Sequence, residues 1–212
     1  MKPFSATFLV LLLAATAAAQ ERVEFFLDAE GVRRSGQISE FTPGVTHFEP
    51  EFRTGGGVGG GFNFFLSDRV SIEAKIAALA TKTRVRIAGS DFVGVADLGW
   101  AQLYPISAVL QWHALERGAL RPYLGIGVVH TVLRNINKQL GVGATGIRFK
   151  DPTGAVVDGG IEIALARKWS LLADARYVPM ETNSAVTFPG TSSSLKMHVR
   201  PLIASFGAGY KF

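Results

Sequence analysis

The stretch that decides the fold is the C-terminal segment Leu202–Phe212, which reads LIASFGAGYKF. Its even-numbered residues are all apolar, whereas its odd-numbered residues, apart from Ile203, are small or polar. This period of two predicts a β-strand whose two faces meet different surroundings. The apolar face suits hydrocarbon and the glycine-rich face suits a crowded interior, which together are typical of a strand in a membrane β-barrel.

The opposite end of the chain predicts export. Lys2 is followed by an apolar run at Phe8–Leu13 and by three alanines at 17–19. The run is much shorter than the roughly 20 residues of a transmembrane helix. We therefore interpret residues 1–19 as a signal peptide and 20–212 as one outer-membrane β-barrel domain. No later apolar run is long enough for a membrane helix, so a membrane-spanning form must be a closed sheet.

Eight segments carry the alternation expected of strands. They are Val23–Val32, Phe52–Leu66, Val70–Leu79, Leu98–His113, Arg121–Leu133, Ala155–Ala166, Trp169–Val178 and Lys196–Phe212. The longer stretches between them, interpreted as loops, are 33–51, 80–97, 134–153 and 180–194.

Long and short connections alternate along the chain, beginning with a long one. This alternation predicts an all-β, eight-stranded antiparallel up-and-down transmembrane β-barrel. Its short turns would lie in the periplasm with both mature termini, and its longer loops would lie outside the cell. We expect the final strand to pair with the strand beginning near Val23 and close the barrel. A soluble eight-stranded barrel is the alternative, although it would not need this asymmetry.

Aromatic residues fall near the ends of the predicted strands, where interfacial girdles of a membrane barrel would lie. Those near the short turns are Phe64, Trp112, Trp169 and Phe212, and those nearer the long loops are Trp100, Tyr104 and Tyr177.

Charged residues at the alternate strand positions that face inward are the main candidates for function. They are Glu24, Asp28, Glu30, Glu73, Lys75, Asp158, Glu162, Asp174 and Arg176. We predict a lumen polar network built from Glu73, Lys75, Asp158, Glu162, Asp174 and Arg176, because opposite charges on neighbouring strands can pair. Two interpretations stay open: the charges neutralise one another and plug a narrow barrel, or they form a polar gate for small solutes.

No catalytic, cofactor or metal site is predicted. The histidines, His47, His113, His130 and His198, are far apart, and none has a serine or glutamate close enough in sequence to indicate a preassembled site. Ligand residues for a metal are not clustered either. Gly55, Gly57 and Gly60 match the dinucleotide fingerprint, but an extended aromatic segment follows them instead of a helix. We ascribe these glycines to bending and close backbone approach in a curved barrel wall.

The chain is basic, with a net charge of +5 and no cysteine. Its basic residues are scattered, so nucleic acid is not an expected partner. Two groups in the predicted loops could meet lipopolysaccharide phosphates: Lys82, Arg84 and Arg86 in the second, and Arg134, Lys138, Arg148 and Lys150 in the third. The alternative is a solvated basic rim.

Four motifs resemble the OmpW family. They are Pro105, the stretch RPYLGIGV at 121–128, LADARY at 172–177, and the terminal GAGYKF at 207–212. The resemblance implies an eight-stranded outer-membrane barrel with a narrow, largely hydrophobic channel that passes small apolar molecules. It also implies that Phe206, Tyr210 and Phe212 form the assembly signal read by the barrel-insertion machinery.

Three functions follow as hypotheses. The first is a passive channel for small hydrophobic solutes, whose partners are outer-membrane lipid, lipopolysaccharide and the assembly machinery. The second is a plugged structural or adhesive barrel that acts through its external loops. The third, a lipid-modifying enzyme, needs a nucleophile beside a base, which the sequence does not indicate.

Overall fold

The computed structural model describes residues 22–40, 47–88, 93–115, 118–134, 146–188 and 191–212, so the predicted signal peptide lies outside it. One antiparallel sheet of ten strands runs through these residues. The strands are β1 (Val23–Glu40), β2 (His47–Phe65), β3 (Val70–Ala88), β4 (Val93–His113), β5 (Leu120–Arg134), β6 (Gly146–Phe149), β7 (Thr153–Ala164), β8 (Trp169–Tyr177), β9 (Met180–Phe188) and β10 (Thr191–Lys211).

Eight of these strands, all except β6 and β9, form a closed barrel wall. Each pairs with the next in sequence, and β10 returns to pair with β1. The β1–β10 register begins with Glu24 opposite Lys211, and the Phe212 N–H donates to the Val23 carbonyl at 3.0 Å. The predicted eight-stranded antiparallel barrel, closed by its final strand, is confirmed.

Burial in the barrel is the reverse of that in a soluble protein. Glu24, Gln111 and Glu162 are at most 1% exposed, whereas Leu124 and Ile126 are 65% and 73% exposed. Buried charges beside exposed aliphatic side chains would be unfavourable in water. They suit a wall with hydrocarbon outside and a polar lumen inside, so the burial pattern favours a membrane barrel over the soluble alternative.

The two ends of the barrel differ. At one end, the short-turn end, short connections join β2 to β3 (66–69), β4 to β5, and β7 to β8 (165–168). The opposite end is called the hairpin end. Outward-facing aromatic residues lie near both ends: Trp112, Trp169 and Phe212 at the short-turn end, and Trp100 and Tyr177 nearer the hairpin end.

Several strands reach further toward the hairpin end than the sequence predicts. Residues 33–51 and 80–97 were expected to be loops, but β1 continues to Glu40, β2 begins at His47, β3 continues to Ala88 and β4 begins at Val93. The loop prediction was wrong because these segments mix polar and apolar residues on both faces, which removes the hydrophobic period. Pairing between their backbones does not depend on that period.

The predicted loop at 180–194 is also a strand hairpin. Both β8 and β9 pair with β10, with Tyr177 opposite Leu202 and Met180 opposite Val199. Pro179 separates them and has no N–H to donate, which explains the interruption between two strands that follow one line. The predicted loop at 134–153 contains the short strand β6, which pairs with β9. No helix in the described part of the chain is long and apolar enough to span a bilayer.

Candidate functional site: the barrel lumen

Charged side chains fill the middle of the lumen and its short-turn end. The first group, called here the central charged layer, consists of Asp28, Glu30, Glu73, Lys75, Asp158, Asp174 and Arg176. The second, the short-turn layer, contains Glu24, Arg121, Glu162 and Lys211.

Lys75 holds one side of the central charged layer. Its Nζ lies 2.5 Å from Asp28 Oδ2 and 2.6 Å from Glu30 Oε1, and the three side chains are at most 3% exposed. Lys75 belongs to β3 and the two acids to β1, so the pairs reach across β2. Gly59 of β2 makes this contact possible, because a Cβ there would lie 2.5 Å from Asp28 Oδ1 and 2.8 Å from Lys75 Cε.

Arg176 holds the other side of the layer. Its Nη2 lies 2.7 Å from Glu73 Oε2 and 3.7 Å from Asp158 Oδ2, and its Nε lies 3.3 Å from Asp174 Oδ1. The Arg176 side chain is only 5% exposed. One guanidinium therefore organises three carboxylates from three strands, a task that suits its planar set of donors.

Gln111 links two of the three acids that surround Arg176. Its Nε2 donates to Glu73 Oε2 at 3.1 Å and to Asp158 Oδ2 at 3.0 Å. Gln111 and Asp158 both lie opposite Gly125 of β5, so their contact crosses a strand that has no side chain at this position. The glycines that face inward therefore do more than allow the barrel wall to bend. They also leave space in which polar groups of non-adjacent strands can meet.

The short-turn layer is built around Glu162. Arg121 Nη1 lies 3.2 Å from Glu162 Oε2, and Lys211 Nζ pairs with Glu162 Oε1. Both cations also lie near the Phe65 ring, with Arg121 Cζ at 5.4 Å and Lys211 Nζ at 5.1 Å from its centroid. These contacts fix the end of β10 to the interior of the barrel.

Glu24 completes the polar end of the lumen. Asn63 Nδ2 donates to Glu24 Oε2 at 3.3 Å, and the Ser170 hydroxyl donates to Glu24 Oε1. The contact with Ser170 crosses β10 at Gly209, where a Cβ would lie 2.5 Å from Ser170 Oγ. Both Glu24 oxygens are satisfied, as a buried carboxylate requires.

The structure brings one histidine and one serine together, which the sequence did not indicate. His113 Nε2 lies 2.9 Å from Ser71 Oγ inside the barrel, and Ser71 Oγ also donates to Gln111 Oε1 at 3.2 Å. Among the residues that the structure describes, His113 Nδ1 has no hydrogen-bond partner. A catalytic triad uses that nitrogen to orient the ring through a carboxylate, so this pair lacks the third member.

An apolar section follows the central charged layer on the side of the hairpin end. Its inward side chains are buried and aliphatic: Val32, Ala77, Leu79, Leu103, Val129, Val156, Val178 and Ile203. A cavity of about 20 Å³ lies at the boundary, between Glu30, Lys75 and Arg176 on one side and Val129, Val156 and Ile203 on the other. This volume holds about one water molecule.

Six residues were predicted to form the lumen network, and the structure divides them. Glu73, Asp158, Asp174 and Arg176 meet directly, whereas Lys75 pairs with the acids of β1 and Glu162 lies in the short-turn layer. The candidate set omitted Arg121, Gln111 and Lys211. The alternation along the strands was the signal that could have indicated these three, because it shows which residues face inward. For Lys211, it had already placed the side chain on the small or polar face of the last strand.

The predicted lipopolysaccharide contacts lie mainly on strands, so their assignment to loops was wrong. Lys82, Arg84 and Arg86 belong to β3, Arg134 ends β5 and Arg148 lies in β6. Lys82 is exposed beside Trp100, with Nζ 5.2 Å from the ring centroid, and Arg134 Nη1 lies 3.9 Å from Asp151 Oδ2. Lys150 is exposed, Lys138 lies outside the described residues, and only the backbone is described for Arg84, Arg86 and Arg148.

The predicted assembly signal lies on the outer wall. Phe206 and Phe212 are 59% and 55% exposed. Tyr210 packs edge-on against Trp169 and Phe212, with centroid distances of 5.0 and 5.4 Å.

Within the described residues, no group of three or more His, Asp or Glu side chains is arranged to hold a metal ion.

Comparisons with known proteins agree with this architecture. The chain is 27% identical over 220 residues to outer membrane protein W of Salmonella typhimurium, with all of both chains covered. It is 26% identical over 150 residues to outer membrane protein AlkL of Ectopseudomonas oleovorans, covering 70% of this chain and 63% of the relative.

Solved structures show the same fold. The crystal structure of the outer membrane protein OprG from Pseudomonas aeruginosa has a TM-score of 0.72 at 16% identity, covering 92% of this chain and 98% of that chain. The solid-state NMR structure of AlkL in DMPC bilayers has a TM-score of 0.64 at 20% identity, covering 92% of each chain. A family model, the OmpW family, matches residues 31–212 and confirms the resemblance. This chain therefore belongs to the OmpW family of outer-membrane β-barrel proteins.

Proposed function

We propose that the chain is a narrow passive channel for small hydrophobic molecules. The observation that carries this proposal is the apolar section of the lumen, whose inward side chains are aliphatic on strands β1, β3, β4, β5, β7 and β10. A small apolar solute loses little free energy of solvation in contact with these eight side chains, because none of them carries a polar group that must be desolvated.

The central charged layer is the barrier of this channel. A solute that leaves the apolar section meets Lys75 and Arg176, each fixed by buried carboxylates. Since the cavity between the two sections is about 20 Å³, side chains must move before any solute larger than water passes. Passage is therefore slow and selective for narrow molecules.

A plugged barrel is the second candidate, and the same barrier favours it. Interlocked ion pairs across a narrow barrel stabilise the wall whether or not a solute passes. In that case the protein acts as a structural element of the membrane or binds through its external hairpins.

Uptake by whole cells separates the two candidates, because the lipopolysaccharide leaflet slows apolar solutes that cross a simple bilayer readily. Cells that produce the protein should take up N-phenylnaphthylamine faster than cells without it. Val129→Thr/Val156→Thr makes the buried apolar section polar and should slow uptake. Val128→Thr/Val157→Thr changes their neighbours on the outer wall, which are 60% and 55% exposed, and should have little effect.

Equal uptake with and without the wild-type protein would contradict the channel and leave the plugged barrel. A change in both valine variants to the same degree would place the effect in the outer wall and not in the lumen. Production of each variant in the membrane is checked by its mobility on unheated gels.

The membrane orientation and partners form part of the same proposal. The short-turn end faces the periplasm and the hairpin end faces outward, after export directed by residues 1–19. Phe206, Tyr210 and Phe212 present the assembly signal to the barrel-insertion machinery. Lys82 beside Trp100, with the other basic residues of the hairpin end, contacts lipopolysaccharide phosphates. We assign no catalytic role, and an unchanged lipid A profile on expression tests that assignment.

A further inference from the structure

A polar pocket of about 410 Å³ lies on the outer wall at the hairpin end. Its lining comes from the start of β7, the connection after β8, and strands β9 and β10: Thr153, Pro179, Met180, Glu181, His198 and Arg200. Strand β7 comes close to this connection at Gly154, where a Cβ would lie 2.6 Å from the Pro179 carbonyl oxygen. The pocket is therefore built where the line of β8 and β9 is interrupted.

The pocket lies directly beyond the apolar part of the outer wall. Tyr177 and Leu202 pair with each other and are 41% and 47% exposed. Arg200 is two residues further along β10, so it lies on the same outward face. In the membrane this arrangement places hydrocarbon against the two apolar side chains and lipid head groups against the pocket.

The polar side chains of the pocket suit a head group that carries both a phosphate and hydroxyls. Arg200 is exposed, and a guanidinium binds phosphate through two parallel hydrogen bonds. Glu181 Oε1 lies 2.7 Å from His198 Nε2, and Thr153 Oγ1 lies 2.9 Å from His130 Nδ1. Carboxylate, imidazole and hydroxyl groups exchange hydrogen bonds with the hydroxyls of a sugar.

A second arginine lies beside the pocket. Arg33 of β1 is exposed and lies opposite Leu202, so it faces outward one diagonal step from Arg200. Two arginines accompany one carboxylate, that of Glu181, among these described side chains. The sign of the charge therefore favours an anionic head group.

We propose that this pocket, called here the head-group pocket, binds the phosphorylated sugar head group of lipopolysaccharide. Arg200 holds a phosphate, and the acyl chains lie along Tyr177 and Leu202. The contact is separate from that of Lys82, which lies on β3 in another part of the wall. The proposal rests on the proposed orientation, because only an outward-facing hairpin end meets lipopolysaccharide in the cell.

Binding to the purified protein, refolded in detergent so that it carries no cellular lipid, tests the proposal. Three probes are compared by native mass spectrometry: diphosphoryl lipid A, phosphatidylglycerol and glucosamine 1-phosphate. Lipid A should bind at least about tenfold more tightly than either of the others, because it alone brings phosphate, sugar and acyl chains together.

Arg200→Gln should weaken lipid A binding about tenfold, since it removes the charged donors that bind phosphate. Arg200→Lys keeps the charge without the paired donors and should recover only part of the affinity. Lys168→Gln, also exposed but at the short-turn end, is the matched control and should bind lipid A like the wild type. Mobility on unheated gels checks that each variant is folded.

Wild-type affinity of Arg200→Gln for lipid A overturns the head-group pocket. Equal binding of phosphatidylglycerol overturns it too, because the sugar then contributes nothing, and equal binding of glucosamine 1-phosphate shows a soluble ligand in place of a lipid. Detergent leaves both ends of the barrel accessible, so these results do not depend on its orientation. Cellular uptake of N-phenylnaphthylamine without lipid A binding contradicts the pocket alone, whereas lipid A binding without uptake contradicts the channel alone.

Discussion

Arg176→Met should be the most destabilising single substitution in the lumen. The substitution keeps most of the side-chain length and removes the guanidinium that lies 2.7 Å from Glu73, 3.3 Å from Asp174 and 3.7 Å from Asp158. Three carboxylates, all at most 4% exposed, are then left without this cation. Removing one partner of a buried ion pair costs about 3–5 kcal/mol, so we expect a loss of at least that size in the free energy of unfolding.

Urea unfolding in phospholipid vesicles, followed by tryptophan fluorescence, measures this loss. Arg134→Met is the matched control, because Arg134 is 61% exposed and its contact with Asp151 is 3.9 Å long. Exposed ion pairs contribute about 0–1 kcal/mol, so the control should be nearly neutral. A cost below about 1 kcal/mol for Arg176→Met, or equal costs for the two variants, would refute the argument that the central charged layer stabilises the barrel.

Adding Glu73→Gln to Arg176→Met tests whether the cost comes from uncompensated charge. The second substitution removes one of the stranded carboxylates, so the double variant should recover part of the stability lost in the single one. Additive losses would show that packing of the arginine side chain, and not its charge, carries the effect.

Three further substitutions test other parts of the molecule. Gly59→Ala places a methyl group in the space used by the lysine–carboxylate contacts and should cost about 1.5–3 kcal/mol in urea unfolding, whereas Gly31→Ala, whose Cβ would meet its nearest atom at 3.9 Å, should cost less. Deletion of Phe212 should lower the amount of folded barrel in the membrane more than it changes uptake per folded molecule, and normal insertion would count against the assembly signal. Lys82→Glu should weaken co-purification of lipopolysaccharide, while Lys168→Glu at the short-turn end should not; equal effects would contradict the proposed orientation.

Much of the barrel can be predicted from the sequence because its signal is local. Alternation along Leu202–Phe212 assigns an outward and an inward face, and the structure places Phe206 outside and Ile203 inside accordingly. Alternating connections predict the number of strands and the closure by the last one. The sequence does not predict the length of the strands at the hairpin end, because there backbone pairing continues without a hydrophobic period.

The candidate site is less predictable. Alternation along a strand predicts which residues face inward, but it does not predict which side chains they contact. Asp174 and Arg176, which share a strand face, do meet, at 3.3 Å. Glu73 and Lys75 also share a face, yet their partners differ: Glu73 contacts Arg176, and Lys75 contacts the acids of β1.

The sequence alone determined that this chain builds a closed membrane β-barrel with apolar residues outward and charged residues inward, because that information lies in a repeat of two residues. Only the tertiary structure decided which charges meet. Lys75 and Asp28 are 47 residues apart, and Arg176 and Glu73 are 103 apart. Their contacts depend on the register of separate strands and on glycines such as Gly59 that leave space between them, which no local pattern records.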